Sequence, residues 1–315
     1  MIKSQSFTFL ESSGWQDYEL IDSGDGLKLE RFGRYTFVRP EAQAMWKRSL
    51  VNEWKQAHAV FQPSGEESGG HWDFKKKVEE KWEMRYDLTR SLTTGPSPHG
   101  RGELRFWAMT TPGRHLGVFP EVAAHWDWFS SLIHHKVYGE RREINVLNLF
   151  GYTGLASLAA AANGAKVTHV DASKKSVSWA RENQTLSKLT DKPIRWIVDD
   201  ALKFVQREAR RGVKYDGIIL DPPKFGRGPK GEVWEVYKSL PNLLEACREC
   251  LSKDPLFVVT TLYAVRASAI HVAQAMEDMM HGFGGKIEMG ELVTREQSAG
   301  RLLSQSVYAR WERKV

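Results

Sequence analysis

Residues 145–171 read NVLNLFGYTGLASLAAAANGAKVTHVD, and this segment is the strongest indication of the fold class. An apolar strand is followed by a glycine turn, an alanine-rich helix and a second apolar strand that ends in Asp171. The carboxylate stands 20 residues after Gly151, the first glycine of the turn. This layout is typical of a nucleotide-binding βαβ unit, in which the acid accepts hydrogen bonds from the hydroxyls of a ribose.

The turn, Gly151–Gly154, has the pattern Gly-x-x-Gly and lacks a third glycine. Dinucleotide sites use Gly-x-Gly-x-x-Gly, because the additional glycine lets a pyrophosphate approach the N-terminus of the helix. A nucleoside ligand without phosphates, such as S-adenosylmethionine, makes no such demand. The turn therefore favours a methyl donor over a nicotinamide dinucleotide, and its glycines are expected to let the backbone approach the ligand closely.

Further strands alternate with helices in the second half of the chain, which predicts a parallel sheet covered on both faces. The predicted strands are residues 144–150, 166–170, 194–198, 215–220 and 256–261, followed by an antiparallel pair at 286–294 and 303–311. Carboxylates follow three successive strands, where such sheets bind their ligands: Asp171, the pair Asp199-Asp200, and Asp221. We expect Asp171 to hold the ribose and Asp200, rather than Asp199, to accept the adenine amine.

A second informative stretch, Asp221–Phe225, reads DPPKF. Proline fixes φ and restricts the residue before it, so this turn is rigid. Such a turn can present one carboxylate and one backbone carbonyl to an amine, while Phe225 stacks on a planar base. The same glycine-rich segment contains Lys224, Arg227 and Lys230. These cations either meet phosphates or remain solvated surface charges.

Composition sets broad limits on the class of protein. The 315 residues are 41% hydrophobic and 27% charged, as in an ordinary soluble protein, and suffice for two domains. No apolar run approaches the roughly 20 residues of a membrane helix, and the N-terminus lacks the apolar segment of a secretory signal. We therefore expect a cytoplasmic protein without a membrane partner. The net charge of +6 and the pI near 9.1 are compatible with a polyanionic partner.

The two cysteines, Cys247 and Cys250, lie three residues apart in a predicted helix. A pair without a second pair of ligands is a poor zinc site and an unfavourable disulfide, so we expect both to be core residues and expect no bound metal.

The first third of the chain predicts a smaller, β-rich unit. Its predicted elements are a hairpin turn at Ser23–Gly26, a helix over 45–54, a strand over 81–86, a flexible linker over Thr93–Gly102, and a hairpin of 104–109 with 115–119. We predict an N-terminal accessory or substrate domain over residues 1–102 and a catalytic domain over residues 103–315. The predicted fold class is α/β, with a seven-stranded Rossmann-like sheet and a small N-terminal β-rich (α+β) domain.

From about Arg105 onward the chain resembles the class I S-adenosylmethionine-dependent methyltransferases, and among them the bacterial 23S ribosomal RNA methyltransferases of the I and K types. The resemblance is carried by VLNLFGYTG (146–154), THVDAS (168–173), AREN (180–183), VDDALKFV (198–205) and YDGIILDPPKF (215–225). It implies S-adenosylmethionine as cofactor and RNA, ribosomal in those enzymes, as substrate. Residues 117–121 resemble the family's loop near the cofactor. The family continues with an acid, Gln and Arg, whereas this chain has Glu121, Val122 and Ala123.

The residue patterns and the resemblance together define a predicted site. The predicted cofactor-binding residues are Phe119, Asn148, Phe150, Gly151, Thr153, Gly154, Asp171, Ala172, Ser173, Asn183, Asp199, Asp200, Ala201 and Asp221. The predicted catalytic residues are Asp221, Pro222 and Phe225, and the predicted substrate contacts are Lys224, Phe225 and Arg227.

The position of the cysteines bears on the chemistry. Methylation at C5 of cytosine requires a cysteine thiolate that adds to C6 of the base. In the enzymes that the chain resembles, this thiolate follows the fifth strand or the Asp-Pro loop, and neither place has a cysteine here. We therefore expect methylation of a base nitrogen, on a base that is flipped out or presented in a loop. Methylation of a protein or a small molecule, and a non-catalytic RNA-binding role, are the alternatives.

Overall fold

The computed structural model describes residues 7–12, 14–64, 69–88 and 102–313. The strands in these ranges are β1 (Phe7–Glu11), β2 (Tyr18–Gly24), β3 (Leu27–Phe32), β4 (Tyr35–Pro40), β5 (Ala59–Pro63), β6 (Gly70–Phe74), β7 (Trp82–Asp87), β8 (Glu103–Ala108), β9 (Asn145–Leu149), β10 (Lys166–Asp171), β11 (Ile194–Val198), β12 (Gly217–Leu220), β13 (Phe225–Arg227), β14 (Val233–Glu235), β15 (Phe257–Tyr263), β16 (Lys286–Arg295) and β17 (Leu302–Glu312). The α-helices are α1 (Val51–Lys55), α2 (Ala123–His134), α3 (Leu155–Ala162), α4 (Lys174–Leu186), α5 (Ala201–Arg210), α6 (Val236–Glu249) and α7 (Ala269–Met280). Apart from Gly102, the predicted linker Thr93–Gly102 lies outside the described residues.

The largest sheet has eight strands in the order β1-β16-β17-β15-β12-β9-β10-β11. β9, β10, β11, β12 and β15 are parallel, whereas β17 runs antiparallel to both β15 and β16. After β11 the chain returns to the other side of β9 to form β12, so a crevice opens at the carboxyl ends of these strands. The predicted α/β fold with its seven-stranded Rossmann-like sheet is confirmed.

The eighth strand, β1, is not predicted by the sequence. It pairs in parallel with β16, with Phe7 opposite Met289. The two strands can approach each other because position 290 is a glycine. A Cβ atom at this position would overlap the carbonyl oxygen of Thr8. The sheet of the catalytic half therefore contains a strand from the beginning of the chain.

The remaining N-terminal strands form a separate sheet in the order β2-β3-β4-β5-β6 and a two-stranded pair of β7 with β8. Asp25 and Gly26 connect β2 to β3 with positive φ angles of 52° and 76°. Two positive φ angles are the requirement of a tight two-residue hairpin turn, so the predicted turn at Ser23–Gly26 and the β-rich character of this region are confirmed.

Two local predictions in this region are wrong. Residues 104–109 and 115–119 form no strand ladder and share a single backbone hydrogen bond, from Met109 N to Leu116 O at 3.3 Å. β8 pairs instead with β7, and the positive φ of 93° at Gly117 interrupts an extended conformation in the second segment. The helix predicted over 45–54 is limited to Val51–Lys55, and Met45 is 87% exposed. The hydrophobic spacing there reflects contacts of separate loop residues rather than one helix face.

Helices cover both faces of the large sheet and create two apolar cores. On one face α2 packs against the sheet, with the rings of Phe129 and Phe257 stacked at 5.5 Å between centroids. On the other face α6 and α7 pack against the sheet, and both Cys247 and Cys250 are buried there. Within the described residues no helix is long and apolar enough to cross a membrane.

Candidate functional site

A cleft of about 570 Å³ opens at the carboxyl ends of β9, β10, β11, β12 and β15. A smaller cavity of about 60 Å³ adjoins it, and the two share Phe119, Phe150, Tyr152 and Asp221. The predicted residues that line the larger cleft are Phe119, Phe150, Asp171, Ala172, Ser173, Asp200, Ala201, Asp221, Pro222, Lys224, Phe225 and Arg227. Asn148, Gly151 and Thr153 line only the smaller cavity, and Gly154, Asn183 and Asp199 line neither.

The turn between β9 and α3 has a strained backbone. Phe150, Tyr152 and Gly154 have positive φ angles of 59°, 49° and 84°. Such angles are unfavourable for residues with a Cβ atom, and they persist only where surrounding contacts fix them. Strain of this kind clusters at ligand sites, in agreement with the location of the turn at the cleft.

Packing beneath the turn requires glycine at position 151. A Cβ atom there would overlap the ring of His169, which is fully buried. His169 Nδ1 lies 3.0 Å from Ser157 Oγ, and Asn148 donates to the same hydroxyl at 2.9 Å. Burial lowers the pKa of His169 to about 3, so this support is neutral. The contact with His169 is a second reason for glycine at this position, and the close approach of a ligand to Gly151 stays a prediction.

The other side of the turn is fastened by Thr153 and Asn183. Thr153 donates from Oγ1 to the carbonyl of Gly117 at 2.7 Å, and its own carbonyl accepts from Asn183 Nδ2 at 2.9 Å. The Oδ1 atom of Asn183 accepts the N–H of Trp107 at 2.9 Å. Both ends of the Asn183 amide are therefore occupied by backbone groups. Its role is to hold the turn against α4 and β8.

Asp171 connects the turn to the predicted ribose site. Its carboxylate accepts N–H hydrogen bonds from Tyr152 at 2.9 Å and from Ser173 at 2.8 Å. Burial raises its pKa, although these two hydrogen bonds oppose the shift. A carboxylate oxygen accepts more than one hydrogen bond, so Asp171 retains acceptor capacity toward the cleft.

Asp199 and Asp200 have different surroundings. Asp199 forms an ion pair with Arg207 and accepts the N–H of Asp200, and it does not line the cleft. Asp200 caps α5 by accepting the N–H of Lys203 through Oδ1 at 2.8 Å, and it lines the cleft. This arrangement favours Asp200 over Asp199 as the acceptor for an adenine amine.

Asp221 lies at the centre of the cleft, directly after β12. Burial and the nearby carboxylate of Glu121 raise the pKa of Asp221 to about 7. Glu121 itself is 6% exposed, and burial raises its pKa as well. Two carboxyl groups that share one low-dielectric space disfavour simultaneous ionisation. Asp221 therefore changes between a hydrogen-bond donor and a pure acceptor near neutral pH.

The segment after Asp221 is a short β-hairpin of β13 and β14. Trp234 points inward, where its indole N–H donates to the carbonyl of Pro223 at 2.7 Å and its ring lies 4.9 Å from Phe150. Phe225 and Arg227 are exposed, and Phe225 keeps 53% of its surface accessible. An exposed ring at the cleft has a free face on which a planar group can stack.

Several cleft residues are absent from the predicted set. These are Arg114, His115, Glu121, Tyr152, Trp234, Thr261, Tyr263 and Ser306. Tyr152 lies within the recognised turn and Tyr263 ends the fifth parallel strand, so position alone could have identified them. Arg114 and His115 belong to a loop without a motif, and only the tertiary structure brings them to the cleft.

Comparison with known proteins places the chain among methyltransferases. Residues 127–265 match the protein family described as Conserved hypothetical protein 95. The ribosomal RNA large subunit methyltransferase K/L of Hahella chejuensis (strain KCTC 2396) is 32% identical over 197 residues, which are 62% of this chain and 26% of that protein. The chain thus spans about a quarter of the length of this curated relative, and less of the next one.

Two solved structures are similar over most of the chain. The SAM-dependent methyltransferase from Agrobacterium tumefaciens is 46% identical, with a TM-score of 0.87 and coverage of 100% of this chain and 98% of that one. A candidate SAM-dependent methyltransferase from Streptococcus mutans has a TM-score of 0.64 at 16% identity, covering 95% of this chain and 76% of that chain, and it supports the fold alone.

Substitution of Gly154 by Ala tests the importance of the turn. A Cβ atom there would lie 2.7 Å from the Cβ of Ala180 on α4, in addition to the φ angle of 84°. The matched control is Gly212→Ala, where φ is 70° and no atom lies within 4 Å of an added Cβ. We expect about 1–2 kcal/mol of destabilisation from the backbone alone in the control and about 1–3 kcal/mol more for Gly154→Ala. Urea unfolding measures both, and equal values would show that the contact with α4 is not tight.

Proposed function

The chain belongs to the S-adenosylmethionine-dependent methyltransferases, and we propose that it transfers the methyl group to a nitrogen atom of an RNA base. Its cofactor, S-adenosylmethionine, supplies an electrophilic methyl group on a sulfonium ion. The observation that carries the proposal is the position of Asp221, Pro222 and Phe225 in the same cleft as the acids Asp171 and Asp200. The arrangement places a rigid acceptor and an exposed aromatic ring beside the predicted cofactor site.

The cofactor end of the cleft is assigned from the acceptors that remain available. We propose that Asp171 holds the ribose hydroxyls and that Asp200 accepts the adenine amine, with Phe150, Tyr152 and the backbone of Ala172 to Ser173 shaping the space. Asn148, Gly151, Thr153, Gly154, Asn183 and Asp199 are proposed to act from behind the turn rather than by side-chain contact. This assignment needs no phosphate-binding glycine, because S-adenosylmethionine has no phosphate group.

The protein's part in the transfer is alignment of the nucleophile. A base nitrogen attacks a sulfonium methyl group with its lone pair, so the protein need only orient the nitrogen and receive any proton it releases. Above about pH 7 Asp221 is a carboxylate, and it accepts a hydrogen bond from a nitrogen that carries a hydrogen, such as an exocyclic amine. Phe225 stacks on the plane of the base. Orientation of this type lowers the activation free energy by up to roughly 7–11 kcal/mol.

The cysteines support a nitrogen target over a carbon target. Cys250 lies at the amino end of β12, because its carbonyl accepts the N–H of Tyr215, whereas Asp221 follows the carboxyl end of the same strand. The six residue steps from Tyr215 to Asp221 span about 20 Å in an extended strand. Burial raises the pKa of Cys250 to about 11 and that of Cys247 well above its usual range. Neither thiol is placed or ionised as a nucleophile should be.

RNA is favoured as the substrate by the names of the curated relatives and by charge. The chain has a net charge of +6, and the cleft is lined by Arg114, Lys224 and Arg227, with Lys230 exposed in the adjoining hairpin loop. Cations at the mouth of a base pocket are suited to phosphates of the flanking backbone. A protein or small-molecule substrate is the second candidate, and the apolar lining of the adjoining small cavity is the feature that would suit it.

Substitution of Asp221 and of Asp171 by Ala distinguishes a role in substrate binding from a role in cofactor binding. Asp221→Ala should lower methyl transfer by about 10²–10³-fold with nearly unchanged affinity for S-adenosylhomocysteine, because it removes a preorganised acceptor. Asp171→Ala should instead weaken that affinity by at least about tenfold through the loss of charge-assisted hydrogen bonds. Calorimetry and single-turnover kinetics measure the two effects. Equal loss of cofactor affinity in both variants would remove Asp221 from the substrate side.

Replacement of Cys247 and Cys250 by Ala tests the absence of a covalent step. We expect turnover at the wild-type level, with about 1 kcal/mol of lost stability per site from the cavities that the substitutions leave. Activity is measured well below the melting temperature of the variant. Loss of turnover in a folded double variant would mean that a thiol participates in the reaction.

The substrate itself is identified by nucleoside analysis. Ribosomal RNA from cells that lack the protein is incubated with the purified enzyme and S-adenosylmethionine, digested to nucleosides and analysed by mass spectrometry. We expect one base carrying a new N-methyl group, which Asp221→Ala fails to produce. A C-methylated base, or methyl transfer only to proteins or metabolites, would contradict the proposal.

A further inference from the structure

Arg114 is a partly buried cation in the cleft that has no anionic partner. Its side chain donates from Nη2 to the hydroxyl of Tyr263 at 2.7 Å, and its guanidinium lies 5.8 Å from the centroid of that ring. Within the part of the chain that the structure describes, no carboxylate lies within ion-pair distance of Arg114. A guanidinium has five N–H donors, and the described residues supply one side-chain acceptor, the Tyr263 hydroxyl, to that of Arg114.

Two other arginines that are shielded from solvent have carboxylate partners, whereas Arg248 donates only to the backbone carbonyls of Met279 and His281. Arg310 pairs with Glu288 at 2.9 Å, and Arg39 pairs with Glu30 at 2.7 Å. Removing a charge from water without a partner costs free energy, so proteins normally pair such groups. Arg114 has neither a carboxylate partner nor a set of backbone acceptors among the described residues, and it lines the cleft that contains the predicted catalytic loop. This combination indicates that an anion from outside the protein completes the site.

The position of Arg114 distinguishes between the cofactor and the substrate as the source of that anion. Tyr263 ends β15, which is three strands away from β10, where Asp171 is proposed to hold the ribose. Three strand spacings correspond to about 14 Å. The methionyl tail of the cofactor extends about 8 Å beyond its ribose, from six bonds of about 1.5 Å in a zigzag. Its carboxylate would therefore end near Asp221, and Arg114 lies beyond it on the substrate side.

The N-terminal sheet holds Arg114 in place. Arg39, on β4, forms a forked pair with Glu30 through Nε and Nη2, both at 2.7 Å. Its remaining nitrogen, Nη1, donates to the backbone carbonyl of Arg114 at 3.1 Å. Tyr18 donates a further hydrogen bond to Glu30 at 2.9 Å. The chain of contacts therefore runs from the buried face of the N-terminal sheet to the loop that carries Arg114.

We propose that Arg114 binds a backbone phosphate next to the target nucleotide and that Arg39 is its positioning residue. This inference rests on the proposed action on RNA. A phosphate matches the forked donors of a guanidinium, and a nucleotide flipped into the cleft brings its own phosphate to the mouth. The N-terminal sheet thus contributes to substrate binding by fixing a residue of the active site.

The first experiment measures binding of the full chain, saturated with S-adenosylhomocysteine, to large-subunit ribosomal RNA transcribed in vitro. Arg114→Ala should weaken RNA binding by about ten- to hundredfold, because a charge-assisted hydrogen-bonded contact is lost. The slope of log K against log salt should decrease in magnitude by about 0.7, the value for one phosphate contact of a single strand. The control Arg181→Ala, an exposed residue of α4 that does not line the cleft, should leave both quantities unchanged.

The outcomes are separable. RNA affinity and salt slope unchanged in Arg114→Ala would overturn the inference, and so would a loss of S-adenosylhomocysteine affinity in place of RNA affinity, since the anion would then be the cofactor's carboxylate. If the wild-type protein neither binds nor methylates this RNA, the proposed function itself fails, which is seen before any variant is made.

The second experiment tests positioning by Arg39. Arg39→Lys keeps a positive charge beside Glu30 but loses the planar fork that reaches the carbonyl of Arg114. It should reduce RNA affinity in the wild-type background and have no further effect in Arg114→Ala. Equal reductions in both backgrounds, measured at unchanged S-adenosylhomocysteine affinity, would show that Arg39 acts independently of Arg114.

Discussion

The backbone of the turn at residues 150–154 is the constraint on which the site depends. Three of its residues have left-handed backbone conformations, and two of these carry side chains that disfavour them. The Asp171 carboxylate stabilises this conformation by accepting the N–H of Tyr152. One acid therefore serves both the shape of the turn and the proposed ribose contact. The position of Asp171 that stabilises the turn is also the position in which it would bind the ribose. The proposed cofactor contact is therefore coupled to the order of the turn.

The two halves of the chain meet at the cleft as well as along β1 and β16. Buried charges on β3 and β4, Glu30 and Arg39, lie behind the loop that carries Arg114. Trp15 donates from its indole to the carbonyl of Pro120, next to Glu121. Contacts of this kind fix the segment that leads into α2 and closes one wall of the cleft. The small N-terminal unit is thus part of the architecture of the active site.

The sequence predicted what depends on local patterns and missed what depends on distant contacts. The hydrophobic pattern predicts the strands of the sheet, and the glycine turn and the acids follow directly after these strands. Asp171, Asp200 and Asp221 line the cleft for this reason. The strand β1 was missed because its pairing depends on a glycine in β16. Arg114 carries no motif and reaches the cleft only through tertiary contacts. The purpose of Gly151 could not be inferred, since His169 approaches it from another strand.

The pairing of β1 with β16 has a consequence for biogenesis. Phe7 faces Met289, so 282 residues separate the partners along the chain. At ribosomal speeds of roughly 5–20 residues per second, the first strand waits on the order of tens of seconds for its neighbour to be synthesised. During that interval Phe7 and Phe9, which remain about half exposed even in the finished sheet, have no edge to join. The early strand therefore stays unpaired for most of translation, and its aromatic side chains are open to chaperone binding during that time.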